Sequence, residues 1–322
     1  MRIFLQVLIT ILLSTSISAS EKFADQYSAP QTEYGQPDLQ GYWFVGSLTP
    51  VERPENFSEL VTTPEEAEKY IESVKANLGD FADPDVYLQD FSELDQIEGQ
   101  FRTSVVTHPI DGKIPYSERG IELVAWNNNR QTQLFDHPEQ RNLFERCLGS
   151  FGFPPMRPFI GNMPRRIVQN ENYIAIYTED PGGARIIRLT DTPMKGMYKS
   201  YGGYSIGNWE GDTLVVNSTH FRNGDPARLS IGRAVLVSEE SHVVERFTRI
   251  SNSQLLYQFT IEDTKLYTEP WRGEFSFRKT GNSTYEYSCH EGNYNLPGIL
   301  LGGRLEQERI AKQGSEDNAL QN

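Results

Sequence analysis

Residues 204–221, YSIGNWEGDTLVVNSTHF, hold a strand-like run, a Glu210-Gly211-Asp212 turn and a second apolar run, the pattern of a β-hairpin. On this pattern Trp209 belongs to the core and Asp212 to the turn. The same punctuation recurs on both sides. RRIVQNENYIAIYT (165–178) breaks at Asn170-Glu171-Asn172, and HVVERFTRISNSQLLYQFTIED (242–263) breaks at Ser251-Asn252-Ser253. GEFSFRKTGNSTYEYSCHEG (273–292) breaks at Gly281-Asn282-Ser283 and predicts a last strand that ends near Glu291. Short strands at intervals of roughly ten residues predict a mainly β fold, an antiparallel lipocalin-like barrel or a closed sandwich. The chain lacks a strand-helix-strand rhythm and a glycine fingerprint, which excludes dinucleotide and phosphate-loop enzymes.

Helices frame the strands. Thr62 or Thr63 is placed to cap, Pro64 suits a first turn, Glu65 and Glu66 suit its positive end, and Gly79 follows the last turn. Ala67, Tyr70, Ile71, Val74 and Leu78 recur on one face of that helix. A second helix is predicted from Ser117 through Ile121, Leu123, Val124 and Trp126, and a third from Pro297 to Gln313, weakened by Gly302-Gly303. The expected organisation is a signal peptide at 1–20, an extended entry segment at 21–35, and a disordered tail at 314–322. Between them, residues 36–313 form a single domain with a helical insertion at about 60–100.

Residues 1–20 carry one positive charge, an apolar run and the small, polar stretch STSISAS, which predicts a secretory signal cleaved after Ala19 or Ser20. A retained N-terminal anchor is the alternative. No later stretch is long and apolar enough to span a bilayer, so none is expected in the mature chain. The expected location is periplasmic or secreted. With 30 Lys and Arg against 44 Asp and Glu, the net charge of −14 excludes a nucleic-acid partner, which needs clustered basic groups.

Candidate chemistry gathers in two stretches. Cys147 and Cys289 are the only cysteines, and in an oxidising compartment an even count predicts a disulfide, with two free thiols as the alternative. In YSCHEGNYN (287–295) the alternation of a strand sends Cys289 and His290 to opposite faces, which disfavours a shared metal. A zinc site would need scattered ligands such as His220, His242 and His290, so no metal and no cofactor is expected. If Tyr285, Tyr287, Cys289 and Glu291 face inward, desolvation suits Glu291 to acid/base work; otherwise Gly292 turns the chain there and the carboxylate accepts backbone N–H groups. In HVVERFTR, Val243, Glu245 and Phe247 share one face. Glu245 therefore either pairs with a buried arginine, with Arg166, Arg188 and Arg233 as candidates, or faces a wet lumen. Catalytic candidates are Glu291 and Glu245 as proton carriers, with His290 and Arg246 orienting the substrate or stabilising negative charge. Trp271 reads as core or as a ligand platform, Arg166 as a carboxylate contact, and His242 as a further substrate contact.

Eight motifs in order resemble a large family of exported bacterial proteins: GQPDLQGYW, RTSVVTHPIDGKIPYSERG, ERCL, PRRIVQNENYIAIYTE, YSIGNWEGDTLVVNSTHF, HVVERFTRI, FTIEDTKLYTEPW and YSCHEGNYNLPGILLGGRLEQE. The resemblance spans residues 36–310 and implies fold and compartment rather than a reaction. His290, Glu291 and Asn293 match the family pattern, which adds Asn293 to the substrate contacts. Tyr204 stands where the family commonly has histidine, and Asn217 where it often has aspartate. The expectation is an exported protein with a small-molecule pocket: either a metal-free lyase, isomerase or hydrolase on a partly apolar substrate, or a non-catalytic ligand-binding or envelope-associated module.

Overall fold

A computed structural model of the chain describes residues 27–78, 93–158, 163–192, 198–228 and 233–320, so the signal segment lies outside the described residues. The chain begins with β1 (Gly41–Phe44), β2 (Val61–Thr62), α1 (Pro64–Leu78), β3 (Gln96–Ile97), β4 (Gln100–Arg102), β5 (Val106–His108) and α2 (Glu118–Gln133). It continues through β6 (Arg165–Gln169), β7 (Tyr173–Thr178), β8 (Ala184–Leu189), β9 (Tyr204–Glu210) and β10 (Thr213–Thr219). A short pair, β11 (Ala227–Arg228) and β12 (Val235–Leu236), precedes β13 (His242–Arg249), β14 (Gln254–Glu262), β15 (Trp271–Lys279) and α3 (Asn295–Leu320).

Strands pair in the order β1-β6-β7-β8-β9-β10-β13-β14-β15, and β15 returns to β1, so nine strands close a barrel. β5 adds to the end of β15 outside the ring. The expected closed, mainly β architecture is therefore present. An alternating ring needs an even number of strands, so nine cannot close with antiparallel pairs alone. The parallel pair falls between β8 and β9, registered as Ile187 with Ser205, Arg188 with Ile206 and Leu189 with Gly207. A parallel neighbour cannot be joined by a tight hairpin, and β8 and β9 are accordingly far apart in sequence, Leu189 to Tyr204.

Strict alternation fills the interior. Ile167, Ile174, Ile187, Val216, Val243 and Phe247 point inward together with Trp43 and Trp271. Tyr257 sits at the centre, its ring 4.9 Å from Phe275 and 5.0 Å from Phe247 between centroids. The β2–β4–β3 sheet and α1 bury a second cluster, Leu48, Ala67, Ile71 and Leu94. Asp95 joins this layer to the barrel, accepting from the Ser276 backbone N–H and hydroxyl, both at 2.6 Å.

Helix starts follow the sequence closely. Thr63 Oγ1 accepts from the Glu66 N–H at 3.3 Å while Glu66 accepts from the Thr63 N–H, a reciprocal cap. Ser117 caps α2 through Gly120 N–H at 3.1 Å. The expected disorder from residue 314 gives way to helix, since α3 continues to Leu320. Gly303 does not break it because the Phe135 ring occupies the place a Cβ would take, 2.2 Å away.

One predicted strand is absent. Residues 281–294 form no strand, and the barrel ends with β15. β15 already pairs β14 on one side, and β1 and β5 on the other, so a following strand finds no free edge. Cys289 lies in this irregular segment. Its disulfide to Cys147, with Cα atoms 5.8 Å apart, ties the segment and α3 to the loop after α2.

Candidate functional site

β8 pairs β7 along its length, from Ala184 with Tyr177 to Arg188 with Tyr173, but only its last three residues meet β9. The edge of Ala184, Arg185 and Ile186 has no strand partner on the β9 side among the described residues. A cavity of about 410 Å³ sits at this opening, between that edge, residues 200–205, and the side chains of Leu148 and Phe153. Two glycines let the 200–205 segment pass. Gly203 has φ +66° and a Cβ there would lie 2.7 Å from the Thr219 carbonyl, while one on Gly202 would meet the Phe153 ring at 2.9 Å.

Behind the opening lies a closed polar network. Arg185 donates to Glu245 through Nη1 at 2.9 Å and through Nη2, a fork on a fully buried carboxylate. The same guanidinium reaches Ser205 Oγ at 3.0 Å and Ser218 Oγ at 3.1 Å, and the two hydroxyls lie 2.9 Å apart. Tyr257 donates its hydroxyl to Glu245 at 2.8 Å and accepts from Met156 N–H at 2.7 Å. Burial, and then the Glu245 charge, push the Tyr257 phenol well above its ordinary range. Glu245 is thus held by an arginine fork and two hydroxyls, with Ser218 Oγ the longest contact at 3.4 Å. The pairing resolves the alternatives for Glu245: the partner is Arg185, not Arg166, Arg188 or Arg233.

Residues 150–157 enter the interior, where Arg157 donates to the carbonyls of Ser150 at 2.7 Å, Pro155 at 2.9 Å and Phe153 at 3.3 Å. Arg165 points inward from β6, with its Nη2 3.4 Å from the Arg157 carbonyl and 3.5 Å from that of Phe151. Arg228 donates to the carbonyls of Tyr201 at 2.8 Å and Asp225 at 3.1 Å. Asp180 accepts from Ser150 Oγ at 2.8 Å and Phe151 N–H at 2.7 Å, and its desolvation raises its carboxyl above the usual value.

The residues singled out from sequence mostly lie elsewhere. Glu291 and His290 are both exposed in the irregular 281–294 segment, so neither faces the barrel lumen. The inward row of Tyr285, Tyr287, Cys289 and Glu291 does not form. Asn293 caps α3 through Leu296 N–H at 3.3 Å and donates to the Glu145 carbonyl at 3.2 Å. Arg246 is on the outer face, paired with Glu210 at 2.9 Å. His242 is also on that face, its Nε2 3.0 Å from Asn217 Oδ1. Trp271 is fully buried core rather than a platform, and Arg166 lies on the outside, 5.7 Å above the Tyr42 ring. Only Glu245 belongs to the network. No group of three or more His, Cys, Asp or Glu is placed to hold a metal among the described residues. No helix among them is long and apolar enough to cross a membrane.

Sequence reasoning missed Arg185, Ser205, Ser218 and Tyr257. In ARIIRL both Ile186 and Ile187 are apolar, so alternation does not say which neighbour faces inward; Ile187 is buried and Ile186 is 50% exposed. Tyr204, a departure from the family pattern, lines the cavity, and its buried hydroxyl has no hydrogen-bond partner.

No family model and no curated protein matches the chain. Among solved structures it is similar to a point mutant of the fluorescent protein UnaG, at 15% identity over 43% of this chain and 88% of that one, with a TM-score of 0.23. The functional assignment therefore rests on the geometry of this chain.

Proposed function

We propose that this chain is a small-molecule-binding barrel whose ligand enters at the parallel seam between β8 and β9. The observation that carries this is the cavity of about 410 Å³ at the unpaired edge of Ala184–Ile186, lined by Phe153, Tyr201 and Tyr204 and floored by Arg185 and Ser205. Aromatic walls with a few polar groups at one end suit a partly apolar molecule. Binding is favoured over acid/base catalysis because Glu245 is neutralised by the Arg185 fork and Glu291 lies outside the barrel. We also infer export to the periplasm or medium and membership of the exported bacterial family. The signal-like residues 1–20, the eight ordered motifs and the Cys147–Cys289 disulfide support both.

The test is titration of the full mature chain with the neutral fluorophore N-phenylnaphthylamine, beside the Ala184→Trp variant. Ala184 is exposed at the rim, so an indole there obstructs the opening without entering the core. The expected outcome is saturable one-to-one binding that the variant abolishes at unchanged melting temperature. Equal binding by the variant would remove the seam as the site.

A further inference from the structure

We propose that the ligand of the seam cavity is a small organic anion, a molecule bearing a carboxylate, sulfonate or phosphate on a partly apolar body. This rests on the reading of the seam as a binding site and specifies what it takes. The case begins with buried charge. Arg157, Arg165, Arg185 and Arg228 are all buried in the interior that backs the seam; the buried carboxylates beside them are Asp180, Glu245 and Asp225, the last already forked by the buried Arg130, so five guanidinium groups face three carboxylates, a balance of 5 − 3 = +2. The protein as a whole carries −14, so this interior has the opposite sign to the rest of the molecule.

Arg185 spends its charge on Glu245. Arg165 and Arg228 have no carboxylate within ion-pair distance among the described residues; their hydrogen bonds run to main-chain carbonyls, and the Nε–H of each is buried without a partner. Uncompensated buried charge is costly, and a protein that keeps it needs a counter-charge. Burial presses these groups toward neutrality, Arg157 to about 9 and Arg165 and Arg228 to about 10. A guanidinium keeps its proton at neutral pH even so, and the shifts mark the cost of the charge. Asp180 offsets part of the Arg165 charge, although burial opposes its own ionisation.

These charges bear on the cavity through its wall. Arg228 holds the carbonyl of Tyr201 and Arg157 that of Phe153, and both of those residues line the cavity. Arg185 forms part of the floor, beside Tyr204, whose buried hydroxyl has no hydrogen-bond partner. In a site walled by protein, fixed positive charge acts on an anion far more strongly than across water. The aromatic rim takes the apolar body.

The experiment pairs two probes of one shape, anilinonaphthalene sulfonate and its neutral parent N-phenylnaphthylamine, on the full mature chain. Ile186, half-exposed at the rim, is replaced by Glu and by Gln, which add a like charge or none without touching the core. The sulfonate is expected to bind about tenfold or more tightly than the neutral parent. Ile186→Glu should erase that preference, and Ile186→Gln should keep it. Equal affinities for the two probes, both blocked by Ala184→Trp, would overturn the anion and leave the pocket standing. A preference that Ile186→Glu does not change would also overturn the proposal, by placing the charge recognition elsewhere. Failure of both probes to bind would overturn the pocket itself.

Discussion

Removing Glu245 and Arg185 separately and together is the sharpest test of the interior network. Glu245→Leu leaves a buried guanidinium without its carboxylate, and Arg185→Met leaves the reverse; each is expected to destabilise by roughly 3–5 kcal/mol. In the double variant neither charge remains. Ser205 and Ser218 keep each other at 2.9 Å, and Tyr257 keeps the bond from Met156 N–H but loses its acceptor. One orphaned hydroxyl is worth about 1–3 kcal/mol. The double variant should therefore lose about 1–3 kcal/mol, where simple addition predicts roughly 6–10, a coupling of at least about 3. Urea unfolding followed by tryptophan fluorescence reads this, since Trp43 and Trp271 are fully buried in the same barrel. Losses that add to within about 0.5 kcal/mol would refute the network as a coupled unit.

Other consequences are as definite. Tyr116, Tyr257 and Tyr267 have phenols raised above the usual value, each chiefly by burial, so the unfolded chain ionises them first. Their contribution to stability is complete below pH about 10 and falls above it, by about 1.4 kcal/mol per pH unit for each phenol. Tyrosinate absorbance should then show these three ionising only with unfolding, and ionisation in step with surface tyrosines would contradict their burial. Cys147→Ser with Cys289→Ser removes a crosslink over a separation of 142 residues, with a loss of up to about 5 kcal/mol in the chain-entropy picture. Limited proteolysis should cut the variant within 281–294 before the barrel, and an unchanged cleavage pattern would show that the crosslink does not hold this segment. Gly273→Ala sets a methyl group 2.5 Å from the Phe259 ring and should destabilise by about 1–3 kcal/mol in thermal melts; an unchanged melting temperature would show that the ring yields freely.

Local chemistry was readable wherever a turn or a cap decides the outcome. The turns at 170–172, 210–212 and 251–253 fall between β6 and β7, β9 and β10, and β13 and β14, because Asn, Gly, Asp and Ser take turn conformations whatever surrounds them. The turn at 281–283 carries the same residues and leads to no strand, since ring closure by β1 removes the edge a strand there would need. Glu245 could be recognised as an inward carboxylate from its place between Val243 and Phe247. Its partner could not, because choosing Arg185 over Arg188 requires the register of β8 against β9. The seam itself leaves no local mark: it follows from the number of strands in the ring, which depends on every pairing at once. Tyr285, Tyr287, His290 and Glu291 drew attention through their residue types, but they belong to the segment held by Cys289 outside the wall.

The odd strand count also bears on how such a barrel can change. Gaining or losing a hairpin alters the count by two and preserves its parity, so a ring descended by hairpin duplication or deletion keeps a mismatched junction somewhere in its wall. Healing the junction between β8 and β9 would require adding or removing a single strand, which reverses the direction of the chain at that point and forces a new connection across the barrel. Loops and side chains around the opening are free to diversify, while the opening persists through every change short of a rewired topology.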